Sequence, residues 1–477
     1  MSKATPDAIV SAFARLAERA PAASLLVSPG RSPIVVGGLD ALVRAAETTL
    51  ACLPSTEIPI GLAAPNGSGF LAGFLALRRR GAIVLLLDAR SPPAELRRVA
   101  AALGAGALLT CPQAWPTGPA GFSCEILSPM ASTGYPTGTS VVKLTSGSTG
   151  EPRGVAVSSE ALAADDAALA ASMGLRADAR IVAAIPMSHS YGFSSVALPA
   201  LIRGSLLVVP APREPLSALA AAHETDASFL PTVPAYLQAL LKMARPPTWP
   251  SALRLVVSAG APLSPDTALR FRKTYGLPVH GFYGASECGG ICYDREGGAG
   301  ERGTVGEPVE GVRVSLDSSG QVGEGVVSVA SPALALGYHC RGETSLFGGC
   351  FETNDVASWA GSELRILRRM DSVINVRGQK IDPSEIERVV STLPGVEDVV
   401  ALGVPSSGAG DPLLRVVIAC SARQVAYADV LAHCRSHLPD HKVPRSIIVV
   451  AEIPRTNLGK VDRTALLAPD FESQRHG

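Results

Sequence analysis

The part of the chain best suited to chemistry is a cluster of glycine and hydroxyl residues at positions 144–155. It reads LTSGSTGEPRGV and contains Thr145, Ser146, Gly147, Ser148, Thr149, Gly150 and Arg153. Glycine has no Cβ, so backbone N–H groups can turn towards a ligand and approach it closely. Converging N–H groups, hydroxyls and a cation form a cradle for phosphate oxygens. The segment therefore predicts a phosphate-binding loop that is not a Walker loop, with a surface loop of small residues as the alternative.

Four further segments follow this loop along the chain. They are YGASE (283–287), FETND (351–355), RRMDSVINVRGQKIDPSEIE (368–387) and PRTNLGKVDR (454–463). Taken together, the five segments resemble the ordered motifs of the AMP-forming adenylating enzymes: acyl-CoA synthetases, adenylation domains of peptide synthetases and luciferases. The resemblance runs from about residue 60 to residue 463 and is nearest to the acyl- or aryl-CoA ligases. The chain is identified as a member of that superfamily.

The resemblance implies that ATP activates a carboxylic acid to an acyl-AMP, which then passes to the thiol of CoA, with Mg²⁺ as the metal. A carboxylate attacking the α-phosphate brings like charges together, so the site must supply cations and oriented donors. By resemblance, the loop that begins at Thr145 holds the leaving phosphates. Glu287 is the magnesium ligand, and Lys460 is a mobile lysine that bridges the carboxylate and the α-phosphate.

The remaining predicted site residues also come from the resemblance. They are the nucleotide- or CoA-binding residues Gly260, Tyr283, Gly284, Ser286, Asp355, Arg369, Arg377 and Lys380. Tyr283 would pack on the adenine, and Asp355 would accept both ribose hydroxyls, as an ionised acceptor does well. Each residue has a structural alternative, because most charged side chains are simply solvated and many tyrosines belong to a core.

The sequence also departs from the family. Arg153 replaces the usual lysine of the phosphate loop, which keeps the charge but changes its geometry. Ser286 stands where threonine is typical.

The segment MSHSYGFSS carries His189 and resembles the gate of acyl- and aryl-CoA ligases, whereas amino-acid-activating domains place an aspartate there. A packed histidine is the alternative for His189. The prediction is a ligase for an aryl or short- to medium-chain acid. Alternatives are loading of a carrier-protein phosphopantetheine in trans, a non-catalytic nucleotide or acyl sensor, and luciferase-like oxygenation.

Short apolar runs that alternate with helical stretches must position these residues. The runs before residue 370 lie at 82–88, 107–110, 180–186, 205–210, 227–232 and 253–260. Continuous apolar strands between helices predict parallel sheets buried on both faces, with ligands beyond the carboxyl ends of the strands.

The remaining segments of the chain have different sequence patterns. Residues 111–140 predict a connecting loop, and the glycine-punctuated residues 303–338 predict a small antiparallel β subdomain. The predicted fold is α/β, with a large N-terminal ATP- and acid-binding domain at 1–370. A small α+β domain is predicted at 371–477, and the resemblance implies that it is a mobile lid with its hinge at Asp371.

Composition bounds the function further. A chain of 477 residues is too long for a single core, so several domains are expected. Lys plus Arg and Asp plus Glu both number 42, so no overall field attracts nucleic acid. No apolar run approaches the ~18 residues of a membrane-spanning helix. The nine cysteines form no CxxC pair, which predicts a reducing compartment and a cytoplasmic enzyme.

Overall fold

A computed structural model of the chain describes the residues that follow. They are 6–53, 58–127, 134–146, 152–176, 178–211, 216–318, 323–340, 343–370, 374–376, 379–381, 383–404, 413–420, 425–438, 442–456, 461–468 and 471. They form two compact units. The large unit comprises Met1–Ser315, Ser328–Glu352 and Trp359–Arg365, and the small unit comprises Leu316–Val327, Thr353–Ser358 and Ile366–Gly477.

The first large sheet of the large unit has nine strands. In spatial order they are β15 (Glu307–Pro308), β14 (Gly289–Tyr293), β13 (His280–Ala285), β12 (Leu255–Ser258), β11 (Phe229–Thr232), β9 (Arg180–Val182), β10 (Leu206–Val208), β1 (Ser24–Val27) and β2 (Ile34–Val35). The central strands pair in parallel, whereas β2, β14 and β15 pair antiparallel at the two edges.

The second large sheet has eight strands. In spatial order they are β19 (Glu343–Leu346), β18 (Gly337–Cys340), β8 (Pro152–Val157), β7 (Val141–Ser146), β4 (Val84–Leu87), β3 (Ile60–Ala63), β5 (Ala107–Thr110) and β6 (Ser123–Ile126). Strands β7, β4, β3 and β5 are parallel neighbours, and the antiparallel strands lie at either side of them.

Three smaller sheets complete the strands. The four-stranded sheet has the order β16 (Arg313–Ser318), β17 (Glu324–Ala330), β20 (Phe351–Ala360) and β21 (Glu363–Arg369). The small unit contains the pair β22 (Ile374–Val376) and β23 (Gln379–Ile381), and the sheet β24 (Asp398–Val404), β25 (Leu413–Ala419) and β26 (Ser446–Val450).

The helices connect these strands. They are α1 (Ala8–Arg19), α2 (Val36–Thr49), α3 (Ser68–Arg79), α4 (Pro93–Ala102), α5 (Ser159–Met173), α6 (Ser190–Gly192), α7 (Leu198–Arg203), α8 (Ser217–Glu224), α9 (Pro234–Lys242), α10 (Pro265–Tyr275), α11 (Ala299–Arg302), α12 (Pro383–Ser391), α13 (Tyr427–His437) and α14 (Arg463–Leu467). Helix α3 is apolar on every side, so it must be buried on every side. Its residues from Ser68 to Arg78 are buried, and Phe74 packs edge-to-face on Phe193.

The predicted α/β fold with a large N-terminal sheet domain and a small C-terminal domain is confirmed, and the central strands of both large sheets are parallel. The apolar runs become strands because both of their faces are covered. Two details differ from the prediction. Residues 111–140 contain a strand, β6, which continues the edge of the eight-stranded sheet. The β subdomain extends to Arg369, because β20 and β21 complete it, while β15 and β18 join the large sheets. Within the residues described, no helix combines the length and the apolarity that crossing a membrane requires.

Candidate active site

The phosphate-loop residues are carried by the hairpin of β7 and β8. Thr145 and Arg153 are directly paired across it, and the Thr145 hydroxyl lies 3.5 Å from the Arg153 carbonyl oxygen. Val142 and Leu144 pack into the core on one face of β7, so Lys143 and Thr145 lie on the other. Ser146 ends β7, whereas the predicted loop residues Gly147, Ser148, Thr149 and Gly150 lie outside the described residues.

A chain of contacts runs from Arg153 through Tyr338 to Glu287. The Arg153 guanidinium lies over the Tyr338 ring, with Cζ 4.8 Å from the ring centroid. The Tyr338 hydroxyl donates a hydrogen bond of 2.7 Å to Glu287 Oε1. Burial, and then the charge of Glu287, raise the pKa of Tyr338 well above its ordinary value, so the phenol remains a donor. The structure thus brings together the predicted cation and the predicted metal ligand.

Tyr338 was not among the residues predicted from the sequence, and neither was Lys143. Lys143 is 3% exposed, in the middle of β7. Burial lowers its pKa, and the negative charges of Asp165 and Glu287 oppose that shift. A lysine inside an apolar strand was the available signal, since buried lysines are rare unless they face opposite charge.

The turn that follows Glu287 is held by a buried carboxylate. Asp165 accepts hydrogen bonds from the Ser194 hydroxyl at 2.6 Å and from the Gly290 backbone N–H at 3.0 Å. Gly289 has φ +71°, and a Cβ there would lie 2.4 Å from Asp165 Oδ1. The glycine is therefore required both by its backbone conformation and by the close approach of the carboxylate. Glu287 itself accepts a backbone bond of 2.8 Å from Ala335.

The predicted acid and adenine residues lie in the nine-stranded sheet and beside it. The Ser190 and Ser286 hydroxyls are 2.5 Å apart. Tyr283 and Gly284 lie in β13, and Gly260 follows β12 with φ +83°. Tyr191 is the neighbour of Ser190, and its hydroxyl donates to the Val257 carbonyl at 2.9 Å.

His189 lies beside a carboxylate from the other large sheet. Its Nε2 is 3.6 Å from Oδ2 of Asp88, the residue that follows β4. Burial alone would raise the pKa of Asp88, but His189 and Arg90 outweigh burial and hold that pKa well below its ordinary value. Arg90 contributes both its guanidinium, at 2.8 Å, and its backbone N–H, at 3.0 Å. The charged Asp88 therefore lies beside the histidine that was predicted as the gate.

The predicted ribose-binding residues lie in the small unit. Arg369 Nε is 3.6 Å from Asp355 Oδ1, and the Asp355 backbone N–H donates to the Thr353 hydroxyl at 3.0 Å. Lys380 lies in β23, and only its backbone is described. Arg377 and Lys460 lie outside the described residues, as does the predicted hinge Asp371.

The donor set fits the Mg²⁺ that the family implies. In the described part of the chain, no group of three or more His, Cys, Asp or Glu side chains could hold a metal. Mg²⁺ is usually bound by one or two carboxylates together with substrate phosphates and water, so it does not need such a group. Glu287 would supply the protein oxygen, and the bound ion would neutralise charge on the phosphates.

Comparison with known proteins identifies the class. The model of the AMP-binding enzyme family matches residues 55–339, and the model of the AMP-binding enzyme C-terminal domain matches residues 385–460. Feruloyl-CoA synthase of Amycolatopsis sp is 29% identical in an alignment of 424 residues, and the match covers 83% of this chain and 86% of that protein. The probable CoA ligase CCL9 of Humulus lupulus is 27% identical in an alignment of 459 residues, and the match covers 87% of each chain. ATP-bound MatB from Rhodopseudomonas palustris shares the fold, with a TM-score of 0.79, 21% identity and coverage of 97% of this chain and 99% of that one.

The chain belongs to the AMP-binding enzyme family. Within this class it is an AMP-forming carboxylate–CoA ligase, which activates an acid with ATP and Mg²⁺ and forms a CoA thioester. The predicted family, reaction and cofactors are thereby confirmed.

Proposed function

We propose that this ligase activates an aryl or short- to medium-chain acid in a pocket capped by His189. The observation that supports this proposal is that Arg153 and Glu287 both contact the phenol of Tyr338. These contacts place a cation and a metal-binding carboxylate side by side. ATP offers four negative charges to such a site, and the transferred group needs both kinds of partner.

The roles of the residues follow from their chemistry. Arg153 and the hydroxyl of Thr145 hold the leaving phosphates, and Lys143 adds positive charge on the same strand face. Glu287 holds Mg²⁺. The acid carboxylate lies between this group and His189 and attacks the α-phosphate, with pyrophosphate as the leaving group.

The choice of acid rests on the gate segment. No aspartate lies between residues 186 and 201, so a substrate ammonium would have no carboxylate partner in that segment. The relative named feruloyl-CoA synthase supports the aryl class.

The second half of the reaction belongs to the C-terminal residues. We assign residues 371–477 to a mobile lid that carries Lys460 for adenylation and Arg377 and Lys380 for admission of the thiol. Asp355 and Arg369 contact the ribose of the nucleotide, with Asp355 as the acceptor. A long flexible cation on a separate domain can enter for one step and leave for the next.

Two further assignments complete the proposal. A carrier-protein phosphopantetheine is the second possible acceptor, since it presents the same thiol as CoA. The compartment is the cytoplasm, because free thiols persist there.

The test is pyrophosphate release with ATP and Mg²⁺ across aryl, alkyl and amino acids, with and without CoA. We expect release with aryl or short- to medium-chain acids and consumption of CoA into a thioester. Release that needs an amino acid would contradict the proposed substrate class. Release without thioester formation would instead support a carrier protein as the acceptor.

Lys460→Ala tests the proposed lid lysine. We expect adenylation to fall by about 100-fold or more, because the variant loses a cation at the point where charge concentrates. Lys273→Ala on the exposed side of α10 is the matched control and should keep full activity. Equal rates for the two variants would contradict the assignment of Lys460 and favour a sensor.

A further inference from the structure

We propose that Tyr338 is a positioning residue that joins Arg153 to Glu287, so that the phosphate-binding cation and the magnesium ligand are held as one assembly. This inference rests on the proposed roles of Arg153 and Glu287. Tyr338 itself is assigned no contact with the acid or the nucleotide.

The register of the eight-stranded sheet brings Tyr338 under the arginine. Tyr338 pairs with Val155 of the neighbouring strand β8, and Arg153 precedes Val155 by two residues. Residues two apart on a strand point to the same face, so Arg153 and Tyr338 share one face of the sheet. The separation of 4.8 Å between Cζ and the ring centroid lies within the ~6 Å range of a cation–π contact.

The other end of Tyr338 fixes the carboxylate. Its hydroxyl donates to Glu287 Oε1 at 2.7 Å, the length expected for a strong bond to a charged acceptor. The ring is held from its sides by Phe347 and Phe351, with centroids 5.1 and 6.5 Å away. The Glu287 carbonyl oxygen accepts the Ala335 N–H, so both the backbone and the side chain of Glu287 are fixed.

The arginine explains why the ring matters in this chain. A guanidinium is planar and stacks on an aromatic face, whereas the ammonium of lysine is a compact, strongly hydrated charge. Arg153 can therefore use the Tyr338 ring as a support. Glu287 accepts from the same phenol, so a change at Tyr338 affects the cation and the carboxylate together.

A purely structural role for Tyr338 gives different expectations. The aromatic cluster with Phe347 and Phe351 would be stabilised equally well by a phenylalanine. Tyr338→Phe keeps the ring and removes only the hydroxyl, whereas Tyr338→Leu removes both. Tyr135→Phe is the matched control, because the Tyr135 hydroxyl donates to the Leu103 carbonyl at 2.6 Å and its ring stacks on His339, the residue after Tyr338.

The experiment is calorimetric titration of ATP without any acid, once in EDTA and once across a series of Mg²⁺ concentrations. For Tyr338→Phe, we expect that about ten-fold more Mg²⁺ is needed before Mg²⁺ exerts its full effect on ATP affinity. A change of about this size corresponds to the loss of one hydrogen bond to a charged group. The ATP affinity of this variant in EDTA should equal that of the wild type. Tyr338→Leu and Arg153→Lys should weaken ATP binding in EDTA as well, because each variant removes the stacking of a guanidinium on the ring at position 338.

A double-mutant cycle closes the test. In a Glu287→Gln background, Tyr338→Phe should have no further effect on Mg²⁺ dependence, since the acceptor charge is gone. The inference is overturned if Tyr338→Phe matches Tyr135→Phe, if it weakens ATP binding equally with and without Mg²⁺, or if its effect adds to that of Glu287→Gln. These titrations need no turnover, so a protein that binds ATP with Mg²⁺ yet activates none of the acids would defeat the proposed function and leave this inference standing.

Discussion

The two large sheets of this ligase have similar architecture and different chemistry. Each has parallel strands in the middle and antiparallel strands at the sides. The eight-stranded sheet supplies the cations Lys143 and Arg153 from its hairpin. The nine-stranded sheet and its connections supply Glu287 and His189, which are the proposed metal ligand and gate. The cations Lys143 and Arg153 and the proposed metal ligand and gate are thus carried by separate frameworks.

The chemistry depends on the contacts that join these frameworks. Tyr338 of the eight-stranded sheet donates to Glu287, and Asp88 after β4 lies beside His189. Asn66 after β3 contacts the connection after β9: its side-chain amide donates to the Ala183 and Ile185 carbonyls, at 2.8 and 2.9 Å. Each contact fixes a group that neither sheet could position alone. Removing these contacts one at a time therefore tests the comparison.

The largest effect on stability is expected at the apolar contact between the two frameworks. Phe74 of α3 and Phe193, which follows the gate segment, are both fully buried, with ring centroids 5.2 Å apart. Phe74→Ala should lower the free energy of unfolding by about 3–5 kcal/mol, because it loses the buried ring and leaves a cavity. Urea unfolding followed by tryptophan fluorescence measures this, since Trp115, Trp249 and Trp359 all belong to the large unit.

Leu269→Ala on α10 is the control for that measurement. Leu269 is 52% exposed, so its truncation should change the unfolding midpoint little. A shift no larger for Phe74→Ala than for this control would mean that the two frameworks are not held together through α3.

The sequence predicts the buried strands of this arrangement better than the long-range contacts between them. Strands such as Ala107–Thr110 are confirmed at their predicted bounds, because a continuous apolar run has few alternatives when both faces are buried. Tyr338 could not be found in the same way. Its importance arises from the antiparallel register of β18 on β8, which places it beside Arg153 although 185 residues separate them in the chain. Local pattern carries no signal for such a pairing.

Asp165 illustrates the same limit. In the sequence it is one of two adjacent aspartates in an alanine-rich helix, and helical spacing gives no reason for its burial. The structure explains it by the Ser194 hydroxyl and the Gly290 N–H that it accepts. Long-range polar partners decide whether a buried carboxylate is tolerated, and they are not encoded by neighbouring residues.

A large effect on activity, with little effect on stability, is expected at Glu287. Glu287→Gln keeps the shape of the side chain and removes the charge that is proposed to bind Mg²⁺, so pyrophosphate release should fall by about 100-fold. The unfolding midpoint should move little, because the Tyr338 hydroxyl can still donate to the amide oxygen. The assay is the pyrophosphate release described above.

Glu125→Gln is the matched control for this charge removal. Glu125 lies on β6, at the far edge of the eight-stranded sheet, and pairs with Arg97 at 2.7 Å. It should keep wild-type activity. A loss of less than ten-fold for Glu287→Gln would contradict the proposed role of Glu287 in the phosphate chemistry.

The smallest effect is expected at the charged contact between Asp88 and His189. Asp88→Asn should lower the free energy of unfolding at pH 7 by about 1 kcal/mol, because the charged partner of Arg90 and His189 is lost. The pKa of Asp88 is depressed in the folded chain, so its contribution is fully present above the unfolded pKa of about 4. As the pH falls below that value, the aspartate of the wild type becomes protonated and the contribution is lost.

The difference between wild type and Asp88→Asn should therefore shrink as the pH falls below about 4. Urea unfolding on either side of that pH measures it, with Asp178→Asn as the control, because the Asp178 side chain is 72% exposed. A difference that grows below about pH 4 would contradict the depressed pKa. In that case Asp88 would not face His189 as a charged group.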